Sequence, residues 1–195
     1  MSLMGPYPIT QALQRVGELL QARGERFRIV VIGGAAMNLH GYVSRATTDV
    51  DILAFGTPVA GPPTGGIRRP PHPLPQALRE SAAAVAREMN FRPDWLNDGP
   101  AKQWDLGLPD GLERRVQWRS FAALDVGLAG RLDLIFFKLY AAADDTGPRS
   151  VHFQDLVALS PTTAELEAAR AWVVSQDPEL EDICQEVIEH AFGAR

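Results

Sequence analysis

The sequence predicts an α+β fold: a mixed sheet flanked by helices, followed by a helical C-terminal segment. Three observations predict it. Short β-branched apolar runs alternate with helix-period segments through the first two-thirds of the chain. The last third carries helical periods only, divided at Ser160-Pro161. Hydrophobic residues make up 46% of the 195 residues, enough to build a core and to set disorder aside. The expected organisation is a sheet-bearing domain over 4–145, with a helical segment over 146–195 packed on it.

Ile9 to Arg23 has Leu13, Val16, Leu19 and Leu20 at helical spacing, with Thr10 to cap it and Gly24 to end it. Phe27 to Ile32 is an almost unbroken apolar run, the pattern of a strand buried on both faces. Gly33-Gly34 make a turn, and Ala35 to His40 form a short helix stopped by Gly41. Thr48 to Phe55 reads as a second strand. Its alternation puts Asp49 and Asp51 on one face and Val50 and Ile52 on the other. Gly56 to Pro75 is rich in Pro and Gly and has no period. With Arg68, Arg69 and His72 it is either a surface insertion or a lid able to close on phosphates. A helix follows over Gln76 to Met89. Strands are expected over Phe91 to Leu96, Glu113 to Phe121 and Ala123 to Leu128, with Pro93 holding the first of these to an edge. Leu132 to Ala143 is a strongly apolar helix carrying Lys138. Helices over Val151 to Leu159, Thr163 to Ser175 and Pro178 to Phe192 complete the chain, with Thr162 or Thr163 as a cap and Glu165 close behind.

The net charge of −5 implies no broad basic face for sequence-independent nucleic-acid binding. The single cysteine, Cys184, has no partner for an internal disulfide and suits a helix as a small hydrophobe. No signal peptide and no membrane span are expected, so a cytoplasmic setting fits. Zinc-ligand spacing, a Walker loop, a dinucleotide fingerprint and a nucleophile elbow are all missing from the sequence.

The chemistry concentrates between Gly33 and Asp51. A glycine pair lets backbone pass close to a bulky anion. The helix that follows aims its free N–H groups and positive dipole end at the same place. Arg45 adds a bidentate phosphate clamp or, equally, a surface ion pair. Two carboxylates one residue apart on a strand face suit Mg²⁺, a hard cation that also takes phosphate oxygens. Phosphoryl transfer at such a site works mainly by positioning and electrostatics.

The motif Ile32-Gly33-Gly34 followed by Asp49-Val50-Asp51-Ile52 resembles the signature of the nucleotidyltransferase superfamily with the polymerase-β-like fold. Gly33, Gly34, Ala36, His40, Gly41, Arg45, Thr47, Asp49 and Asp51 together look most like its bacterial branch near the nucleotidyltransferase toxins of type IV abortive-infection systems. The segments Asp94 to Asp98 and Leu124 to Asp155 are also similar to that branch. The resemblance implies a nucleotidyltransferase-like mixed sheet. It also implies transfer of a nucleoside monophosphate from an NTP to a hydroxyl on a tRNA, a protein or a small molecule, within or outside a toxin–antitoxin pair. Asp49 and Asp51 would hold Mg²⁺. Gly33, Gly34, Arg45 and Thr47 would bind nucleotide. The superfamily's third carboxylate, on a later strand, has Asp94 and Asp98 as its nearest candidates and Asp125 as a weaker one. The alternative is a catalytically inactive module that works through a protein partner or senses a nucleotide.

Other residues admit plainer roles. His40 suits packing at a helix end more readily than a ligand. Thr47 suits shaping the turn. Trp95, Trp104 and Trp118 suit a core more than base stacking. Lys138 either reaches the site or snorkels to solvent. Asp144, Asp145 and Asp155 read as surface or helix-end charges.

Overall fold

The computed structural model describes residues 6–57, 66–144 and 150–193. Among these residues six strands join in one mixed sheet, and nine α-helices accompany them. The α+β class is as expected. The chain forms two compact units, Met1–Asp105 with Gly111–Ala129 and Leu106–Asp110 with Gly130–Arg195.

The first unit holds the sheet. Its central strand β1 (Phe27–Ile32) lies between antiparallel β2 (Val50–Gly56) and parallel β6 (Leu124–Leu128). Ile29, Val30 and Val31 are fully buried, which explains the unbroken apolar run. On the outer side of β6 lies antiparallel β5 (Gln117–Phe121). Two short strands join β2: β3 (Ile67–Arg68), antiparallel to its end, and β4 (Leu96–Asn97), parallel to its start.

Helix α1 (Pro6–Ala22) buries Ile9, Leu13, Val16 and Leu20, and Gly24 leaves it at φ +72°. Its Gly17 passes so close to the β5–β6 turn that a Cβ there would stand 1.7 Å from the Phe121 carbonyl oxygen. Helix α2 (Gly33–His40) starts at the glycine pair itself, two residues earlier than the periodicity suggested. Helix α3 (Gln76–Met89) agrees with its expected bounds.

Two expected strands shrink. The run expected over Phe91 to Leu96 keeps only Leu96, which forms β4 with Asn97, because the Trp95 N–H closes a turn on the Arg92 carbonyl. The Trp95 side chain then enters the core, where its indole N–H donates to the Ala82 carbonyl at 3.0 Å. The run from Glu113 opens instead as a helical turn, α5 (Leu112–Arg115), entered through Gly111 at φ +72°; α4 (Gln103–Leu106) precedes it.

The pairing of β1 with β2 contains a bulge. Val30 faces Ala54, but Val31 faces Ile52 and Ile32 faces Asp51, which leaves Leu53 as the extra residue. Its carbonyl is satisfied from the side, by the Trp104 indole N–H at 2.7 Å.

The second unit is helical: α6 (Arg131–Asp144), α7 (Val151–Ala158), α8 (Thr163–Gln176) and α9 (Glu181–Phe192). Helix α6, grouped by the sequence reading with the strands in 4–145, packs against the three later helices. The Ser160-Pro161 boundary is followed by a capping box between Thr162 and Glu165. Trp172 of α8 sits among Phe136, Phe137 and Tyr140. Cys184 is fully buried, and burial pushes its thiol up to about 11, which leaves it an inert small hydrophobe.

Lys138 neither snorkels nor stands free. It is buried, and its Nζ lies 2.7 Å from Asp155 Oδ2, with His152 Nδ1 at 3.4 Å. Asp155 is therefore a core charge and not the surface charge its helix position suggested. Removing one partner strands the other charge in a low-dielectric interior. Lys138→Met should lose about 3–5 kcal/mol in urea unfolding. Lys138→Met combined with Asp155→Leu should recover most of that loss.

Candidate functional site

The bulged register puts Asp51 directly opposite Ile32, the last residue before the glycine turn. Gly33 has φ +70°, and a methyl group on it would stand 2.5 Å from Asp51 Oδ2. A glycine is thus required twice at that position, by backbone conformation and by the approach of a carboxylate. Gly34 is enclosed on its other side. A Cβ there would lie 3.0 Å from Thr47 Oγ1 and 3.5 Å from an Arg45 guanidinium nitrogen. Gly33, Gly34, Arg45, Thr47 and Asp51 therefore converge on one turn.

Asp49 immediately precedes β2, two positions before Asp51. The buried Thr47 hydroxyl donates to Asp49 Oδ1 at 3.3 Å, which orients the carboxylate. Ile32, at the N-cap position of α2, offers no side-chain acceptor, and the first turn of the helix contains no acidic residue. The carboxylate that stands at the start of this eight-residue helix is that of Asp51, from the neighbouring strand. Behind the turn, Asn38 is almost fully buried and donates from Nδ2 to the Gly34 carbonyl at 2.9 Å.

The expected third carboxylate does not join the pair. Asp94 is largely exposed and paired with Arg92 on its own turn. Asp98 is held by His72, whose Nδ1 lies 2.9 Å from Asp98 Oδ2. Asp125 faces Arg28 across β1 and β6, four residues before Ile32 and so about 13 Å along the strand. There it accepts from Ser120 and Arg26. The residue that meets Asp51 is Asn97, directly opposite it in the β2–β4 pair, with Nδ2 donating to Asp51 Oδ1 at 3.2 Å. Asn97 was missed because the motif drew attention to aspartates. The usable signal was its place in a short apolar-polar strand, but strand register alone decides which residue faces Asp51. Among the described residues, no group of three His, Cys, Asp or Glu side chains is placed to hold a metal.

No known protein family, curated protein or solved structure matches this chain. What the site can do follows from its own chemistry. Asp49 and Asp51 are ligands of the type Mg²⁺ takes, since that ion is commonly bound by one or two carboxylates and completed by phosphate oxygens and water.

The remaining sequence candidates have structural work. His40 Nε2 lies 2.9 Å from the Ala129 carbonyl, and the ring packs on Tyr42. Trp118 lies under the Arg28 guanidinium at 4.1 Å, while Trp95 and Trp104 serve the core and the bulge. Part of the Gly56 to Pro75 stretch, 58–65, lies outside the described residues. Of its basic residues, Arg68 belongs to β3 and stands over the Phe55 ring, Arg69 pairs with Asp105 and His72 pairs with Asp98. Among the described residues no helix is long and apolar enough to cross a membrane.

Two outcomes follow. Gly33→Ala should lose more than about 1 kcal/mol in urea unfolding, since alanine is strained at positive φ and its methyl group meets Asp51. Burial pushes the His40 imidazole below its ordinary value of 6.5, the Ala129 carbonyl opposes the shift, and Arg119 adds to it. The unfolded chain then takes up the proton first, so the contribution of His40 is complete above pH 6.5 and is lost as pH falls through the lower folded value. Denaturant midpoints measured across that range should fall more steeply for the wild type than for His40→Gln.

Proposed function

We propose that this protein is a Mg²⁺-dependent nucleotidyltransferase that binds an NTP at the Gly33-Gly34 turn and transfers its nucleoside monophosphate to a hydroxyl acceptor. What supports the reading is the closeness of Asp51 to Gly33, where an added Cβ would stand 2.5 Å from Asp51 Oδ2, at the start of helix α2. The glycine turn and the first-turn N–H groups of α2 take the β- and γ-phosphates. Arg45, beside Gly34, neutralises charge on the same groups. Asp49, oriented by Thr47, and Asp51 would hold the cation, which when bound supplies charge neutralisation at the phosphates. In the transfer, a bond forms from the acceptor oxygen to the α-phosphorus. The bond from that phosphorus to the bridging oxygen breaks, pyrophosphate leaves, and the hydroxyl proton passes to solvent. A cytoplasmic setting, where NTP and Mg²⁺ are abundant, suits this reading.

A second reading is supported by one observation, the amide of Asn97 where a third carboxylate would complete the usual set. On that reading the domain binds Mg²⁺–NTP without transferring it, and acts through a protein partner.

Isothermal titration of ATP, GTP, CTP and UTP with Mg²⁺ tests the site that both readings share. Wild type should bind at least one of them in a Mg²⁺-dependent manner. Asp49→Asn with Asp51→Asn should weaken that binding by about tenfold or more, about 1.4 kcal/mol per tenfold. A folded wild type that binds none of the four would overturn both readings. An Asp49→Asn protein that loses nucleotide yet keeps every cellular effect would favour a partner-binding role over catalysis.

A further inference from the structure

The sheet ends at β5. Strand order runs β3-β2-β1-β6-β5, and among the described residues β5 pairs only with β6. A strand in an antiparallel pair turns part of its N–H and C=O groups toward its neighbour and the rest away from it. Those on the outer side of β5 therefore form a template for a further strand. Gln117, Arg119 and Ser120 are exposed, so this edge is open to solvent.

The edge is rich in arginine. Arg114 lies in the helical turn that leads into β5, and Arg119 lies in the strand itself. Arg26 reaches the far end, where it donates to the Ala122 carbonyl of the β5–β6 turn at 3.4 Å. All three are exposed. Acidic groups are fewer. Glu113 stands 3.9 Å from Arg114, at the outer limit of an ion pair. Asp125 accepts from Arg26 and Ser120 and has Arg28 nearby as well. Arg119 is opposite Val126, one residue out of phase with Asp125, so the two leave the sheet on different faces. Arg119 forms no ion pair among the described residues, and its charge still helps to hold the His40 imidazole below its ordinary value. Arg26, Arg28, Arg114 and Arg119 thus outnumber Glu113 and Asp125.

We propose that β5 is a docking edge for an extended acidic segment of a partner protein, which joins the sheet as a further strand beside Gln117–Phe121. Backbone hydrogen bonds supply the attraction, and a carboxylate opposite Arg119 supplies the selectivity. Charge also decides against a second copy of this chain. Two β5 edges laid together would bring Arg119 near its own counterpart, like charge against like. The docking edge uses none of the residues of the nucleotide-site reading and stands or falls separately from it.

The probe is a short acetylated peptide of alternating Glu and Thr. Its β-branched threonines favour the extended state, and its glutamates share one face. A matched peptide with Lys in place of Glu controls for the sign of charge. A single-stranded oligonucleotide controls for an anion that cannot extend the sheet. Amide hydrogen exchange and chemical shifts of the full 195-residue chain are recorded with each. The Glu peptide should slow exchange of the outward-facing β5 amides, a backbone signature that loose attraction to arginine does not give. The Lys peptide should leave them unchanged. Arg119→Glu should weaken the Glu peptide about fivefold and admit the Lys peptide instead. Unchanged β5 amides with the Glu peptide, equal slowing by both peptides, or indifference to Arg119→Glu in a folded variant would each overturn the docking edge. Binding of the oligonucleotide alone would overturn it in favour of a nucleic-acid contact. Protection of β5 without peptide, in a protein that sediments as a dimer, would overturn it in favour of a second copy.

Discussion

The antiparallel pairing of β1 with β2 places Ile32 opposite Asp51, and every other feature of the candidate site depends on that register. Because β1 runs toward the glycine turn and β2 runs away from it, the end of one strand and the start of the other occupy the same rim of the sheet. Asp51 reaches Gly33 directly across the pair. Parallel β4 then adds Asn97 beside Asp51, and the segment leading into β2 brings Thr47 and Arg45 against Gly34. A side chain on Gly33 would push the carboxylate away, so the turn and the strand constrain one another.

Neutral donors reach both carboxylates at this rim. The Thr47 hydroxyl holds Asp49, and the Asn97 amide holds Asp51. Such donors orient carboxylates without carrying a charge of their own. Elsewhere the fold uses charge to neutralise charge: Arg26 and Arg28 with Asp125, Arg92 with Asp94, Lys138 with Asp155.

Much of this was legible in the sequence because local signals agreed with tertiary ones. The apolar run of β1, the Gly33-Gly34 punctuation, the Thr162–Glu165 box and the bounds of α3 each reflect a short-range rule that packing did not override. The meeting of the glycine pair with Asp51 was also anticipated, since two adjacent strands joined by a short helix have few ways to pair. What stayed hidden depends on contacts distant in sequence. The segment Asp94 to Asp98 offers three polar side chains, and only the register of β4 on β2 selects Asn97. Asp155 read as a surface or helix-end charge, and Lys138 as reaching the site or snorkelling, because helical periodicity cannot show that two charged positions face each other inside a bundle. The start of β5 was misread because Gly111 at positive φ turns a β-prone run into a helical turn.

The bulge at Leu53 divides β2 into two phases. Beyond it, Ala54 and Phe55 follow the pleat set by Val30 and Ile29; before it, Asp51 and Ile52 follow a pleat shifted by one residue. In an unbroken strand, inward and outward positions are locked together from end to end, so altering the core would reorient the rim. Trp104, by satisfying the displaced carbonyl, makes the phase change permanent. The facing of the two parts of one strand is thereby set separately. Substitutions at Ala54 and Phe55 can leave the facing of Asp51 unchanged, while Val50 and Ile52, fully buried on either side of it, still anchor that end of the strand in the interior.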